Sequence, residues 1–374
     1  MDPTAGILLR AHFILARGVA ELTANGKRVG DAVLDPPRVD TRKRALYRSE
    51  DVTALLKRGD NVFGVMIGEH SDVLVQARIE LDDGTTLTVG SDSAWRSGPA
   101  PVRSANRFHG ETSDARREHT GWDVPGFDDG GWQAVDVADG PRGTLSAAML
   151  EPMRVIRTHT PVAVREVEDG VGLFDFGTNI AGWTRLEIDA SRGTEITLKH
   201  GELIDAHGRI NTDEIHARQT NHYIAAGNGV EVWQPRFVYA GFGYVEVTGL
   251  PGGPDGRTVN ALEVHNDVRT VGRFDSSDDL LNRLHKANVQ TQLNGMHGIP
   301  EDTPTREKRG WMADAHVAAQ AVMNSLGTAA FYTTFIRDMR DAQRALVWSP
   351  TSFPWNRHTR GRIVPIPPGG SRPS

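Results

Sequence analysis

The chain has 374 residues, of which 38% are hydrophobic, and its formal net charge is −6. This charge argues against nucleic acid or an anionic membrane surface as the main partner. The sequence has no cysteine, which excludes disulfide bonds, thiolate metal sites and a cysteine nucleophile.

The length predicts two or three domains, and the apolar residues, with 8 tryptophans, are enough to build cores. No run of 18 apolar residues occurs, so we predict no membrane-spanning helix. The first residues lack the basic and then apolar layout of a signal peptide, and we therefore expect a cytoplasmic protein. The sequence also lacks the motifs of serine-hydrolase elbows, phosphate-binding loops and zinc proteases.

Residues 6–148 are predicted to form an N-terminal β-sandwich. Asn25-Gly26 and the Asp82-Asp83-Gly84 run are hairpin turns between short apolar runs. Residues 93–132 carry three tryptophans and several acids, a composition that suits stacking on sugar rings and hydrogen bonding to hydroxyls. Core tryptophans at a loop-rich edge of the sandwich would give the same pattern, so both interpretations stay open.

Residues 149–265 are predicted to form a second β-sandwich, because alternating strands such as 184–188 and 194–200 follow an aromatic run. The pattern then changes to helix over residues 266–348. The run Ser276-Ser277-Asp278-Asp279 is a good helix N-terminal signal, and residues 313–326 and 329–345 predict two more helices. The tail, residues 349–374, is rich in Pro, Arg, Gly and Ser and is expected to be irregular or disordered.

One stretch, residues 301–314, concentrates acids, arginines and a tryptophan before an apolar helix. Thr303 suits an N-cap and Pro304 a first helical position, so a helix is predicted to begin there. Gly310 weakens such a helix, which leaves a loop over part of the segment as the alternative. Helical spacing would place Glu307, Trp311 and Asp314 on one stripe. Burial would raise the pKa of one acid, and a nearby arginine would lower the pKa of another. Two acids whose pKa values differ in this way can act as proton donor and charge stabiliser. Charges in a first helical turn are also common as dipole complements and surface ion pairs.

The run from Asp302 to Trp311, followed by Asp314, resembles the signature of α-L-rhamnosidases of glycoside hydrolase family 78. Members read D-C-P-x-R-E-K-x-G-W or D-C-P-x-R-D-E-R-x-G-W and then G-D-A. This chain departs from the pattern at Thr303, where Cys is usual, and at Ala313, where Gly is usual. Neither change removes a carboxylate. Runs at residues 25–31, 51–53 and 59–62 resemble the family's N-terminal β-sandwich, and runs at 173–183 and 233–247 resemble its second β-domain.

The resemblance implies a role for each matching residue. Glu307 corresponds to the general acid, and Asp302 and Asp314 to acids that hold the rhamnose hydroxyls. The implied substrate-binding residues are Arg306, Trp311 and Lys308. Residues 266–348 correspond to the first helices of an (α/α)6 catalytic barrel. The fold class expected for the whole chain is therefore multidomain and β-rich, with two β-sandwiches followed by part of that barrel.

The implied reaction is inverting hydrolysis of terminal α-L-rhamnosides, with rhamnose-containing glycosides as partners and no required cofactor. Family members place the general base on a glutamate far downstream, and no residue here matches it. We therefore expect the chain alone to be nearly inactive. We also expect it to expose apolar helix faces, which would permit a homo-oligomer. Calcium sometimes accompanies the N-terminal β-domain in this family, and Glu111 and Asp114 are weak candidates for it. The alternative is a non-catalytic carbohydrate-binding protein, whose sugar binding would survive Glu307→Gln and loss of the residues after 265.

Overall fold

The computed structural model describes residues 12–16, 19–68, 72–211, 215, 217–343 and 362–363. The predicted 349–374 tail lies outside these residues, except for 362–363, and so do residues 344–348 of the predicted helical region. None of the helices in the described ranges is long and apolar enough to cross a membrane.

Strands make up most of the regular structure. The first twelve are β1 (His12–Ala16), β2 (Ala20–Ala24), β3 (Lys27–Arg28), β4 (Arg44–Asp51), β5 (Phe63–Ile67), β6 (Asp72–Glu80), β7 (Thr86–Gly90), β8 (Arg96–Ser97), β9 (Val102–Asn106), β10 (Gly110–Asp114), β11 (Gln133–Ala134) and β12 (Thr144–Ala147). The others are β13 (Met153–His159), β14 (Ala163–Glu168), β15 (Val171–Asp189), β16 (Glu195–Gly201), β17 (Leu203–Ile204), β18 (Ile210–Asn211), β19 (Thr220–Ile224), β20 (Val230–Trp233), β21 (Ala240–Thr248), β22 (Val259–Asn266) and β23 (Arg362–Ile363). Short 3-10 turns cover Thr53–Leu55 and Ala115–Arg117, and the α-helices are α1 (Asp279–Asn294), α2 (Met312–Ser325) and α3 (Ala329–Ala342).

The chain divides into two compact units, and both are discontinuous in sequence. The first contains residues 1–100, 119–148 and 355–374, and the second contains residues 101–118 and 149–354. The strands at 102–106 and 110–114 fall inside the predicted range 6–148 but hydrogen-bond to the sheet of the second unit, through a parallel pair between β10 and β19. The predicted domain ranges themselves stay predictions.

The first unit packs a sheet of order β12-β4-β1-β6-β23, with β7 on β6, against a sheet of order β3-β2-β5. Alternate residues of β2 and β6 face the same core, which includes Leu22, Ala24, Val75 and Ile79. This period of two is what a half-buried strand requires. The two predicted hairpins are confirmed, since β2 pairs with β3 across Asn25-Gly26 and β6 pairs with β7.

The second unit is built on a ten-stranded, curled sheet of order β13-β22-β15-β21-β16-β19-β10-β9, with β14 and β20 also paired to β15. The 19-residue β15 pairs with β14 and β21 at its start and with β22 and β20 at its end, with an irregularity between Asp175 and Ile180. Its core is aromatic and aliphatic and includes Phe174, Leu186 and Phe242. The β-rich architecture predicted from the sequence is confirmed.

The helices follow the strands, and α1 attaches to the sheet of the second unit by side-chain amides. The helix begins within the predicted signal at residues 276–279, where Asp278 caps α1 by accepting a hydrogen bond from the backbone of Leu280 at 2.8 Å. At the other end, the Asn294 amide accepts from the Ala181 backbone N–H and donates to the Asn179 carbonyl. The last turn of α1 is thereby fixed on β15, and the chain that follows it starts from a defined point.

Candidate active site

Residues 301–311 form a loop between α1 and α2, and the predicted helix start at Thr303-Pro304 is wrong. A single turn covers residues 304–307, and α2 begins at Met312 with Trp311 as its N-cap. The physical reason is Lys308, whose φ of 52° puts it in the left-handed region. One such residue interrupts a right-handed helix.

Asp302 closes this loop. Its backbone N–H donates to the Arg309 carbonyl at 2.9 Å, and its carboxylate accepts from the Arg309 N–H at 2.8 Å. Burial raises the pKa of Asp302 above its ordinary value, and the negative charge of Glu307 adds to the rise, although the Arg309 hydrogen bond opposes it. The charge of Glu307 therefore lies close enough to act on the Asp302 carboxyl group.

Glu307 is half-buried and is held by the predicted aromatic neighbour. The indole N–H of Trp311 donates to its Oε2 at 2.9 Å, and an Nη of Arg306 lies 3.7 Å from its Oε1. The Glu307 side chain is 34% exposed and that of Arg306 is 48% exposed. Asp314 lies exposed in the first turn of α2. The structure thus brings Glu307, Trp311, Arg306 and Asp302 together on one loop.

Lys308 lies beneath the loop and is fully buried. Its ammonium donates to the carbonyls of Arg107 and Tyr239, both at 2.6 Å, and lies 3.9 Å from the centroid of the Tyr239 ring. An ammonium enclosed by two carbonyls and an aromatic face is not available to a sugar hydroxyl. This position does not support the predicted substrate contact of Lys308.

A second buried acid supports the loop from the sheet side. Glu301 accepts a hydrogen bond from the Tyr239 hydroxyl at 2.6 Å and lies 3.1 Å from Nδ1 of His297. The His297 ring stacks on Tyr239 with centroids 4.0 Å apart, and its Nε2 lies 2.9 Å from the Val264 carbonyl oxygen. The two ends of the loop therefore rest on the same tyrosine.

Two glycines permit the close packing of this region. A Cβ on Gly241 of β21 would lie 2.7 Å from the Thr305 side chain and 2.8 Å from Pro304. A Cβ on Gly310 would lie 2.9 Å from the ring of Phe335 on α3. Contacts this short do not occur, so Gly310 serves close approach to α3, whereas the sequence suggested only that it weakens a helix.

The sequence analysis assigned no role in this site to Arg107, Tyr239, His297 or Glu301. Glu301 adjoins Asp302, and Tyr239 lies in an aromatic run that resembles the family's second β-domain, so both had a sequence signal. Arg107 had none, because its contacts with the loop depend on the fold.

The carboxylates of the two calcium candidates, Glu111 and Asp114, accept hydrogen bonds from protein groups. Glu111 accepts from the backbone N–H groups of Arg236 and Phe237, both at 3.0 Å. Asp114 forms a two-pronged pair with Arg116, whose guanidinium lowers the pKa of Asp114. No group of three or more His, Cys, Asp or Glu residues suitable for a metal ion occurs among the described residues. A calcium site needs six or more oxygen ligands, and calcium binding by this part of the chain stays a prediction.

Three family models match successive parts of the chain. The α-L-rhamnosidase N-terminal domain matches residues 9–71 and 66–157, the bacterial α-L-rhamnosidase concanavalin-like domain matches residues 165–265, and the bacterial α-L-rhamnosidase 6 hairpin glycosidase domain matches residues 269–364.

Individual relatives agree with these matches. An α-L-rhamnosidase of Streptomyces avermitilis is 34% identical over 351 residues, which are 88% of this chain and 34% of that relative. The structure of α-L-rhamnosidase from Dictyoglumus thermophilum superposes with a TM-score of 0.90 at 33% identity, covering 93% of this chain and 41% of that one. The Streptomyces avermitilis α-L-rhamnosidase complexed with L-rhamnose superposes with a TM-score of 0.91 at 32% identity, covering 94% of this chain and 36% of that one. The chain thus spans well under half the length of these relatives.

Proposed function

Because the chain belongs to the α-L-rhamnosidase family, glycoside hydrolase family 78, we propose that its protein hydrolyses terminal α-L-rhamnosides, with Glu307 as the general acid. The observation that carries the proposal is the half-open Glu307 carboxyl group, held by the Trp311 indole at 2.9 Å with Asp302 beside it. A carboxyl group in this setting has one oxygen fixed and the other facing Arg306.

The proposed reaction inverts the anomeric centre. Glu307 gives its proton to the glycosidic oxygen, the bond from this oxygen to the anomeric carbon breaks, and a water activated by a second carboxylate attacks from the opposite face. Asp302 and Asp314 would hold rhamnose hydroxyls, Trp311 would form an apolar wall, and Arg306 would donate to the sugar. Lys308 holds the loop from below. This chemistry uses carboxyl groups alone and needs no cofactor.

We further propose that α1, α2 and α3 are the first helices of the (α/α)6 catalytic barrel. The match of residues 269–364 to the 6 hairpin glycosidase domain supports this assignment. The second carboxylate of the reaction has no match in the sequence, and Asp302 and Asp314 match sugar-holding positions. We therefore expect this 374-residue chain by itself to bind L-rhamnose and to turn over slowly.

The test measures hydrolysis of two rhamnosides by the protein and by its Glu307→Gln variant. With a poor leaving group such as an alkoxide, the substitution should lower kcat by about 10²–10⁴-fold, because the leaving oxygen needs a proton. With a dinitrophenyl leaving group, which departs unprotonated, the loss should be small. The control is Glu187→Gln, which changes an exposed carboxylate on β15.

L-rhamnose binding, followed by calorimetry, gives a second reading that needs no turnover. Glu307→Gln should retain binding, and Trp311→Ala should weaken it. Equal losses with both leaving groups would contradict the general-acid role. Binding that survives Trp311→Ala and deletion of the residues after 265 would favour the non-catalytic carbohydrate-binding alternative.

A further inference from the structure

Arg107 reaches the candidate active site from a distant part of the sequence. It lies in the turn between β9 and β10, where Asn106 accepts hydrogen bonds from the backbone of Phe108 and His109. The guanidinium donates to the Lys308 carbonyl at 2.6 Å and to the Glu307 carbonyl at 3.3 Å, a separation of 200 residues along the chain. A fixed turn thus presents the guanidinium to the backbone of the proposed general acid.

Lys308 returns the contact. Its ammonium donates to the Arg107 carbonyl, so the two residues hold each other's backbone. In this position Lys308 has a left-handed backbone with a φ of 52°, which is unfavourable for a residue with a Cβ. Such a conformation persists only where several surrounding contacts hold it in place. Strained residues of this kind cluster at functional sites.

We propose that Arg107 is a positioning residue for Glu307. The inference rests on the proposed function of Glu307. Arg107 fixes the two carbonyls at and after Glu307, and this sets the direction in which the Glu307 side chain leaves the loop toward the Trp311 indole. The guanidinium does not touch the substrate; it acts through the peptide backbone. A displacement of a proton donor by about 1 Å is enough to lower a rate by about 10²-fold.

The test follows the indole N–H resonances of the 8 tryptophans by nuclear magnetic resonance of the ¹⁵N-labelled protein. The Trp311 resonance is identified by its loss in Trp311→Phe. Glu307→Gln should move this resonance, because the hydrogen bond at 2.9 Å loses its carboxylate. Arg107→Met should move the Trp311 resonance and leave the other seven in place.

Arg192→Met is the matched control, since its guanidinium also donates to a backbone carbonyl of the same unit, that of Ala226 at 3.1 Å. It should leave the Trp311 resonance unchanged. Arg107→Lys keeps the charge and should restore part of the original position. For substrate turnover by Arg107→Met, we expect kcat to fall about 10–100-fold with KM changed by less than about twofold.

A Trp311 resonance that ignores Arg107→Met but responds to Glu307→Gln would overturn the positioning role and leave the proposed function intact. Movement of all eight resonances in both Arg107 variants would show that Arg107 supports the unit as a whole, which also overturns the inference. A Trp311 resonance that ignores Glu307→Gln would remove the contact on which both the proposed function and this inference depend.

Discussion

Lys308 shows how one buried side chain determines the shape of the candidate active site. A lysine ammonium is costly to bury unless its donors are used, and here two carbonyls and an aromatic ring receive it. The backbone of Lys308 must then adopt the left-handed conformation that ends the turn at residues 304–307. The loop, rather than a helix, is the result.

We predict that Lys308→Met lowers the free energy of unfolding by on the order of 2–3 kcal/mol, because the buried carbonyls of Arg107 and Tyr239 lose their donor. Chemical denaturation monitored by circular dichroism measures the change. The control is Lys199→Met, since Lys199 donates to a single carbonyl, that of Ile210 at 3.2 Å. If Lys308→Met lowers the free energy of unfolding no more than Lys199→Met does, the predicted contribution of Lys308 to stability is contradicted.

The environment of His200 predicts how the stability of the protein depends on pH. It is fully buried, and its Nδ1 lies 3.0 Å from the Gln219 carbonyl and its Nε2 lies 3.1 Å from the Thr184 hydroxyl. The neutral ring satisfies both contacts when Nδ1 carries the proton and Nε2 accepts from the hydroxyl. Burial lowers the pKa of His200 from 6.5 to about 4, although hydrogen bonds to backbone groups oppose the change.

Between pH 6.5 and 4 the unfolded chain binds a proton at His200 that the folded protein does not. The free energy of unfolding therefore decreases as the pH is lowered through this window. The loss should approach about 3 kcal/mol at pH 4. His200→Asn keeps a donor for the Gln219 carbonyl and removes the titration, so its stability should depend less steeply on pH. Urea unfolding at several pH values measures this. The same slope in both proteins would contradict the assignment.

At the scale of elements, α1 has an apolar face that is open in the described structure. Leu280, Leu281 and Leu284 are 57%, 46% and 56% exposed. Adjacent exposed leucines on one helix are typical of a surface that packs against another element or another molecule. The expected homo-oligomer stays a prediction, and this face is a defined place at which to test it.

We predict that Leu280→Lys with Leu284→Lys reduces self-association and changes the free energy of unfolding by less than about 0.5 kcal/mol, since no buried contact is lost. Light scattering over a range of protein concentrations measures the association. The control adds the same charge on β20 with Val230→Lys and Val232→Lys, at residues that are 66% and 53% exposed. Equal effects of the two pairs would indicate a general charge effect and would remove α1 as the interface.

For the molecule as a whole, sequence patterns succeeded where the cause of structure is local. The Asp278 cap, the Asn25-Gly26 hairpin and the three helices follow from residues within a few positions of each other. Patterns failed at residues 303–307, where a helix was predicted to begin, because the loop found there depends on a contact of Lys308 with carbonyls that come from residues 107 and 239. Long-range contacts of this kind leave no periodicity for a reader of the sequence to find.

The candidate site was predicted in part for the same reason. The motif gave Asp302, Glu307 and Trp311, and the structure brings these three together on one loop. The Tyr239, His297 and Glu301 cluster needs two chain segments to meet, with Tyr239 and Glu301 62 residues apart, so no short motif contains it. The catalytic assignment of Glu307 itself stays a proposal for the experiments above.

The path of the chain through the two units has a practical consequence. It leaves the first unit after residue 100, supplies two strands to the sheet of the second, returns after residue 118 and leaves again after residue 148. A gene cut at any one of these points would separate a unit from part of itself. A fragment starting at residue 149 would carry Glu307 but lack the arginine that holds its backbone. To express the second unit alone, one would therefore have to fuse the β9–β10 hairpin to this fragment rather than truncate the chain at a single point.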